Sequence, residues 1–202
     1  TEFTKNITSK NIETFRDKYN LNNGKKNIVF VGRIAYEKGC KVLLEAFSKL
    51  NRTDCNLIFY GDGNEREMLE REIRELGLQD RCCITGYLPN TDISLAIKTA
   101  DLMVMPSLHE EFGGLILEIA AVGKAVIGSN IGGIPTLIED GKSGLLFECG
   151  NSDELCTKIN SIIDDDILLD KYGEQLKKNI LKTYSFDENI DKMIQLYRNM
   201  ED

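Results

Sequence analysis

The sequence predicts an α/β fold, a doubly wound, six-stranded parallel sheet with helices on both faces. Three observations carry this. Short continuous apolar runs recur along the chain, amphipathic segments of helical period stand between them, and glycine or proline closes most of the runs. Unbroken apolar runs mark strands buried on both faces, and strands that alternate with helices mark a parallel sheet. Right-handed crossovers then give a doubly wound domain.

The elements follow in order. Residues 1–10 are polar and without period, and Asn11 to Tyr19 reads as a short helix with Ile12, Phe15 and Tyr19 on one face. Asn22-Asn23-Gly24 breaks it. Ile28 to Val31 is the first strand, and Lys41 to Leu50 a helix with Val42, Leu43, Ala46, Phe47 and Leu50 inward. Leu57 to Tyr60 is the second strand, after which Asn64 can cap a helix running to Leu76. Cys82 to Thr85, Leu102 to Met105, Ala125 to Ile127 and Gly144 to Phe147 are the remaining strands. Helices are expected over 92–100, 115–122, 135–139, 153–163, 167–183 and 186–200. This divides the chain into a linker-proximal segment with a short helix (1–26), a sheet domain (27–184) and a terminal helix (185–202).

Composition narrows the function. A chain of 202 residues suits one domain, and 42% hydrophobic with 29% charged residues is ordinary for a globular protein. A net charge of −8 lacks the basic footprint of a duplex nucleic-acid binder, so nucleic acid is not an expected partner. The six cysteines form no CxxC and join no histidine cluster, since His109 is the only histidine. They read as reduced, buried or partly buried thiols, and no metal site is expected. No apolar run approaches the roughly 20 residues that cross a bilayer, and no signal segment opens the chain.

In such sheets ligands sit beyond the carboxyl ends of the strands. Three of those ends carry chemistry. After the first strand comes Gly32-Arg33-Ile34-Ala35-Tyr36-Glu37-Lys38-Gly39, where backbone can approach a ligand and two cations flank a helix start. A planar guanidinium and a point-charge ammonium suit a diphosphate, although a solvated loop also carries such cations. After the fourth strand comes Pro106-Ser107-Leu108-His109-Glu110-Glu111-Phe112-Gly113-Gly114, then a helix containing Glu118. Glu118 has apolar neighbours on nearly every side, and a carboxylate in such a run is rarely left without a partner. A ribose diol is one partner that accepts its geometry. After the fifth strand, Gly132-Gly133 before Pro135 reads as a turn that can face an anion.

Taken together these segments resemble family 4 of the retaining glycosyltransferases, enzymes with two Rossmann-like domains and a cleft between them (the GT-B architecture). The matching residues are Val31-Gly32-Arg33, Glu37-Lys38-Gly39, Gly61-Asp62-Gly63, Pro106-Ser107, Glu110, Phe112-Gly113, Leu117-Glu118, Ala121, Gly123, Val126-Ile127, Gly132-Gly133, Ile138, Asp140-Gly141 and Gly144. They span about residues 27 to 150 in order and spacing. The resemblance implies that the chain is the donor-binding half of a hexosyltransferase-like enzyme, transferring a sugar from a nucleoside diphosphate to an acceptor hydroxyl with retention. Arg33 and Lys38 would hold the diphosphate and stabilise its departure, and Glu110 would approach the sugar as a third catalytic group. Glu118 would bind the ribose, and Gly114 and Leu115 would turn amides to a phosphate. Gly32, Phe112 and Gly113 would line the donor site, with Gly86 and Leu88 near the base. No cofactor or metal is implied beyond the nucleotide-sugar substrate.

Two departures from the family pattern matter. Glu111 stands where the family commonly has a small residue, and family members run to about twice this length. The missing part would be an N-terminal acceptor domain, the expected partner of the terminal helix 185–202. A cytoplasmic location is implied, with any peripheral contact at the inner membrane face made by the missing half, and a role in polysaccharide biosynthesis. A nucleotide-sugar epimerase of the same architecture and a non-catalytic nucleotide-sugar-binding module are the alternatives.

Overall fold

The computed structural model of the chain describes residues 2–183. Its six strands are β1 (Lys26–Val31), β2 (Cys55–Tyr60), β3 (Cys82–Ile84), β4 (Leu102–Met105), β5 (Val126–Ser129) and β6 (Leu145–Phe147). All pair in parallel, in the order β3-β2-β1-β4-β5-β6. The chain therefore builds outward from β1 on one side, returns, and builds outward from β4 on the other. The Rossmann-like fold expected from the sequence is present.

Alternation along β1 shows how both faces fill. Ile28 and Phe30 join the core beneath α2 (Cys40–Ser48), α3 (Arg66–Glu75) and α7 (Ser152–Ile162). Val29 and Val31 join the core beneath α1 (Ser9–Lys18), α4 (Asn90–Thr99) and α5 (Gly114–Val122). A period of two feeds two cores from one strand, which explains the unbroken apolar runs. The short α6 is Ile134–Leu137, and α8 (Asp166–Thr183) contributes Leu169 and Tyr172 to one core and Leu176 to the other. The terminal helix expected over 186–200 lies outside the described residues.

Some local expectations shift. The first helix starts at Ser9, where the Thr8 side chain accepts from the Asn11 amide, and its Phe15 packs on Tyr60 with ring centroids 5.6 Å apart. Asn64 does not cap α3. The Glu65 amide donates to the Ile34 carbonyl, which pins this stretch to the β1 exit loop and delays the helix to Arg66. Four cysteines are buried and Cys149 partly so, but Cys83 is exposed on the edge strand β3, outside the expectation of buried thiols. Among the described residues no helix is long and apolar enough to cross a membrane.

Candidate functional site

The sheet reverses direction between β1 and β4, and the segments leaving those two strands diverge to opposite sides. A crevice at their carboxyl ends follows from that topology. It is occupied by a cavity of about 250 Å³ whose floor is Phe30, Val31 and Met105. Its polar wall is Gly32, Lys38, Ser107 and Glu110, and the start of α5 closes it with Gly114 and Leu115.

Two glycines lock the loops that form this wall. Lys38 ends a 3-10 turn (Tyr36–Lys38), and Gly39 joins it to α2 with φ 65°. A Cβ on Gly39 would sit 2.0 Å from the Pro106 carbonyl oxygen, so a side chain there would separate the two loops. The Leu108 and His109 amides both donate to the Glu37 carbonyl across the same seam. On the other side, Gly132 has φ 54° and a Cβ on it would sit 1.6 Å from the Glu110 carbonyl oxygen. The Gly132-Gly133 turn is therefore a buttress beneath the Glu110 loop. The Gly133 amide is spent on the Glu110 carbonyl at 3.4 Å.

Held this way, Lys38 donates from Nζ to Glu110 Oε2 at 2.7 Å, with both side chains largely buried. Glu110 Oε1 also accepts from the Gly113 amide at 3.2 Å, and Ser107 Oγ stands 3.5 Å from Oε2. Burial pushes the Glu110 carboxyl up, but the Lys38 ammonium and the Gly113 and Phe112 amides outweigh it and hold the group below the usual carboxylate range. The amides of Gly114 and Leu115, first in α5, have no acceptor among the described residues. They carry the free donors and positive end of the helix dipole to the cavity.

Glu118 follows four residues after Gly114 and so lies on the same face of α5, one turn further in. It is half-buried and makes no hydrogen bond or ion pair with another described residue, and burial pushes its carboxyl up. An unpartnered carboxylate at that depth is costly unless something outside the chain meets it.

The structure does not gather every predicted residue at the cavity wall. Arg33 extends over the surface and donates to Glu37 at 2.5 Å, with two-thirds of its side chain exposed. Gly86 is not part of the cavity lining; it is bridged to Gly61 and close to Asp62 and Arg66. Leu88 is buried in the core, so only its backbone is available to a ligand. Gly113 is buried against Ile116, Ile134 and Leu137, while Phe112 is 46% exposed. His109 contributes backbone to the seam and exposes its side chain. Sequence reasoning missed Glu37 as the partner of Arg33 and Ile93 of α4 in the cavity lining. No local pattern signals either one, since each depends on side-chain packing between separate segments.

A family model described as glycosyl transferases group 1 matches residues 11–179. Alpha-D-kanosaminyltransferase of Streptomyces kanamyceticus is 32% identical over 187 residues, which are 92% of this chain and 48% of that protein. A glycosyltransferase of Rickettsia africae matches with a TM-score of 0.83 at 26% identity, covering 98% of this chain and 54% of that one. HepE of Anabaena, solved in complex with UDP and glucose, has a TM-score of 0.82 at 23% identity over 94% of this chain and 53% of its own, a likeness of fold alone. The chain spans about half the length of the curated relatives it matches. Through the family match over most of its residues, the chain belongs to the group 1 glycosyl transferases.

Proposed function

We propose that the chain is the donor-binding half of a retaining, family 4-like transferase that binds a nucleoside-diphosphate sugar. One observation carries the reading. Lys38 and the first residues of α5, Gly114 and Leu115, line one cavity where the strand order reverses, and Glu118 follows one turn further along α5, outside the cavity lining. The spacing suits a diphosphate against Lys38 and the helix start, with a ribose one turn further on at Glu118. UDP and glucose in the HepE structure, on the same fold, support the ligand class.

In transfer, the bond between the anomeric carbon and the diphosphate oxygen breaks, and negative charge grows on the departing phosphate. Lys38 and the amides of Gly114 and Leu115 are fixed before that charge appears, and losing one such donor typically costs about 100- to 1000-fold in rate. Arg33 joins them by exchanging Glu37 for the phosphate. Glu110 orients Lys38 and faces the sugar. These groups do the work that a divalent ion does elsewhere. An acceptor domain supplied by the remainder of the protein completes the reaction.

A calorimetric and thermal-shift panel of UDP, GDP and ADP tests the reading. A nucleotide at about 100 times its Kd should stabilise the chain by about 2.7 kcal/mol, or roughly 5–10 °C for a domain of this size. Glu118→Ala should weaken nucleoside diphosphates about 10- to 100-fold and leave inorganic pyrophosphate nearly unaffected. Equal losses for both would remove Glu118 from the ribose.

A further inference from the structure

Glu110 is a largely buried carboxylate with a donor on each oxygen. Its Oε1 accepts from the Gly113 amide at 3.2 Å and its Oε2 from Lys38 Nζ at 2.7 Å. The Lys38 ammonium is also the charged group that holds the carboxyl low. The donor-site reading requires that same ammonium for a diphosphate oxygen. As Lys38 turns to the phosphate, its bond to Oε2 slackens, and a buried carboxylate oxygen that loses its short donor is costly. A replacement donor has to be in place beforehand.

Ser107 supplies it. The residue is 2% exposed and lines the same cavity, and its Oγ stands 3.5 Å from Oε2. That is longer than the roughly 2.5–3.0 Å of a settled O–H···O bond. In the ligand-free chain the hydroxyl is therefore in reserve, beside an oxygen that Lys38 already serves. A hydroxyl carries no charge, so the exchange releases the ammonium without adding a second cation.

The backbone on either side keeps Ser107 in that position. Before it, a Cβ on Gly39 would sit 2.0 Å from the Pro106 carbonyl oxygen, so this peptide is wedged against the loop leaving β1. After it, the Ser107 carbonyl accepts from Ser129 Oγ at 2.7 Å, with Cys149 Sγ 3.7 Å away. Ser129 is the last residue of β5 and is fully buried. A hydroxyl at that depth is destabilising unless it is bonded, and it directs its proton to the peptide that carries the reserve donor.

Resting on the donor-site reading, we infer that Ser107 is a positioning residue that takes over Glu110 Oε2 when Lys38 turns to the diphosphate, and that Ser129 holds it there. No covalent bond forms or breaks in the exchange, and no proton changes owner.

The test is titration calorimetry of the chain with UDP at pH 7 and pH 5, in buffers of different ionisation enthalpy, which reads affinity and proton uptake together. At pH 7 Ser107→Ala should weaken UDP about five- to tenfold, and less than about twofold in a Glu110→Gln background, where no charged oxygen needs the donor. At pH 5 Ser107→Ala should take up more protons than wild type on binding, because Glu110 has lost its reserve donor. The titrations of UDP and of Glu118 are common to both chains and cancel in the difference. Ser129→Ala should repeat the pattern more weakly, and it carries the test if Ser107→Ala does not fold. Equal losses in both Glu110 backgrounds with unchanged proton uptake would make Ser107 a general support of the loop and overturn the inference. So would a Ser107→Ala chain that binds UDP as wild type does, and wild-type behaviour of Ser129→Ala on both readouts overturns the role of Ser129. Failure of the wild type itself to bind UDP counts against the donor-site reading instead, which separates the two failures.

Discussion

At the scale of residues, the site rests on two carboxylates that burial affects alike and whose surroundings differ. Glu110 has Lys38 and two amides, so its carboxyl titrates below the usual range, while Glu118 has no partner and titrates above it. The linkage signs are opposite. For Glu110 the folded state binds a proton less readily than the unfolded chain. It therefore contributes stability above the unfolded carboxylate pKa of about 4.3, and this is lost as pH falls through the lower folded value. For Glu118 the ionised form is disfavoured by folding, so its cost is present at neutral pH and fades on acidification. Glu110→Gln should thus lose about 1–2 kcal/mol at pH 7, intermediate between exposed and buried pairs, and show a flatter stability profile between pH 6 and pH 3. Glu118→Gln should melt up to about 3 °C higher than wild type at pH 7 while binding nucleotide worse. Thermal melts across that pH range read both, and a Glu118→Gln protein that melts lower would mean its carboxylate is satisfied in the ligand-free chain. The positions of Lys38 and Glu110 beyond the strand ends, and of Glu118 one turn into the following helix, were legible because glycines mark where those elements start. The ion pair of Arg33 with Glu37 was not, because a long surface side chain has several rotamers within reach of different carboxylates.

Elements carry the site through contacts between loops far apart in sequence. Strands and helices were legible because a strand buried on both faces must be apolar at every position, and β1, β2 and β4 are buried almost throughout. The support that Gly132-Gly133 gives the Glu110 loop was not legible, for the complementary reason. The turn's neighbours are the carbonyls of Glu110 and Phe112, about 20 residues earlier, and nothing local distinguishes a turn that faces a ligand from one that supports another loop. Replacement tells the two apart. Gly132→Ala places a methyl 1.6 Å from the Glu110 carbonyl oxygen and strains φ 54°, so the Glu110 loop must move. The expected result is a loss of more than about 2 kcal/mol and at least a tenfold weakening of UDP. Gly77→Ala, at φ 67° with nothing within 4 Å of the new Cβ, is the control for backbone strain alone. It should cost about 1 kcal/mol and leave UDP binding alone. Differential scanning calorimetry and UDP titration of both variants make the comparison, and equal binding in the two would deny the buttress its role.

At the scale of the whole molecule, the topology places the site and the charge decides how a ligand reaches it. The order β3-β2-β1-β4-β5-β6 fixes the crevice at one point along the carboxyl ends of the strands, whereas the sequence indicated a doubly wound sheet and its strand ends without that order. It also gave the net charge of −8, whose consequence depends on how the site's own charges are arranged. Lys38 is matched by Glu110 and Arg33 by Glu37, so neither of these two cations stands free to draw in a diphosphate. The long-range field is that of the acidic surface. At 0.01 M salt the Debye length is about 30 Å, wider than the roughly 17 Å radius of gyration of a domain of this length, whereas at 0.15 M it is about 8 Å. Raising salt over that interval should therefore remove repulsion from the whole molecule before it weakens contacts inside the cavity. The association rate of UDP is expected to rise several-fold between 0.01 and 0.15 M. Above about 0.3 M the dissociation rate should climb as the phosphate contacts are screened, so affinity passes through a maximum. Stopped-flow binding across the series measures both rates. An association rate that falls steadily from the lowest salt would mean that the mouth attracts anions at long range, with Lys38 or Arg33 free of its carboxylate in solution.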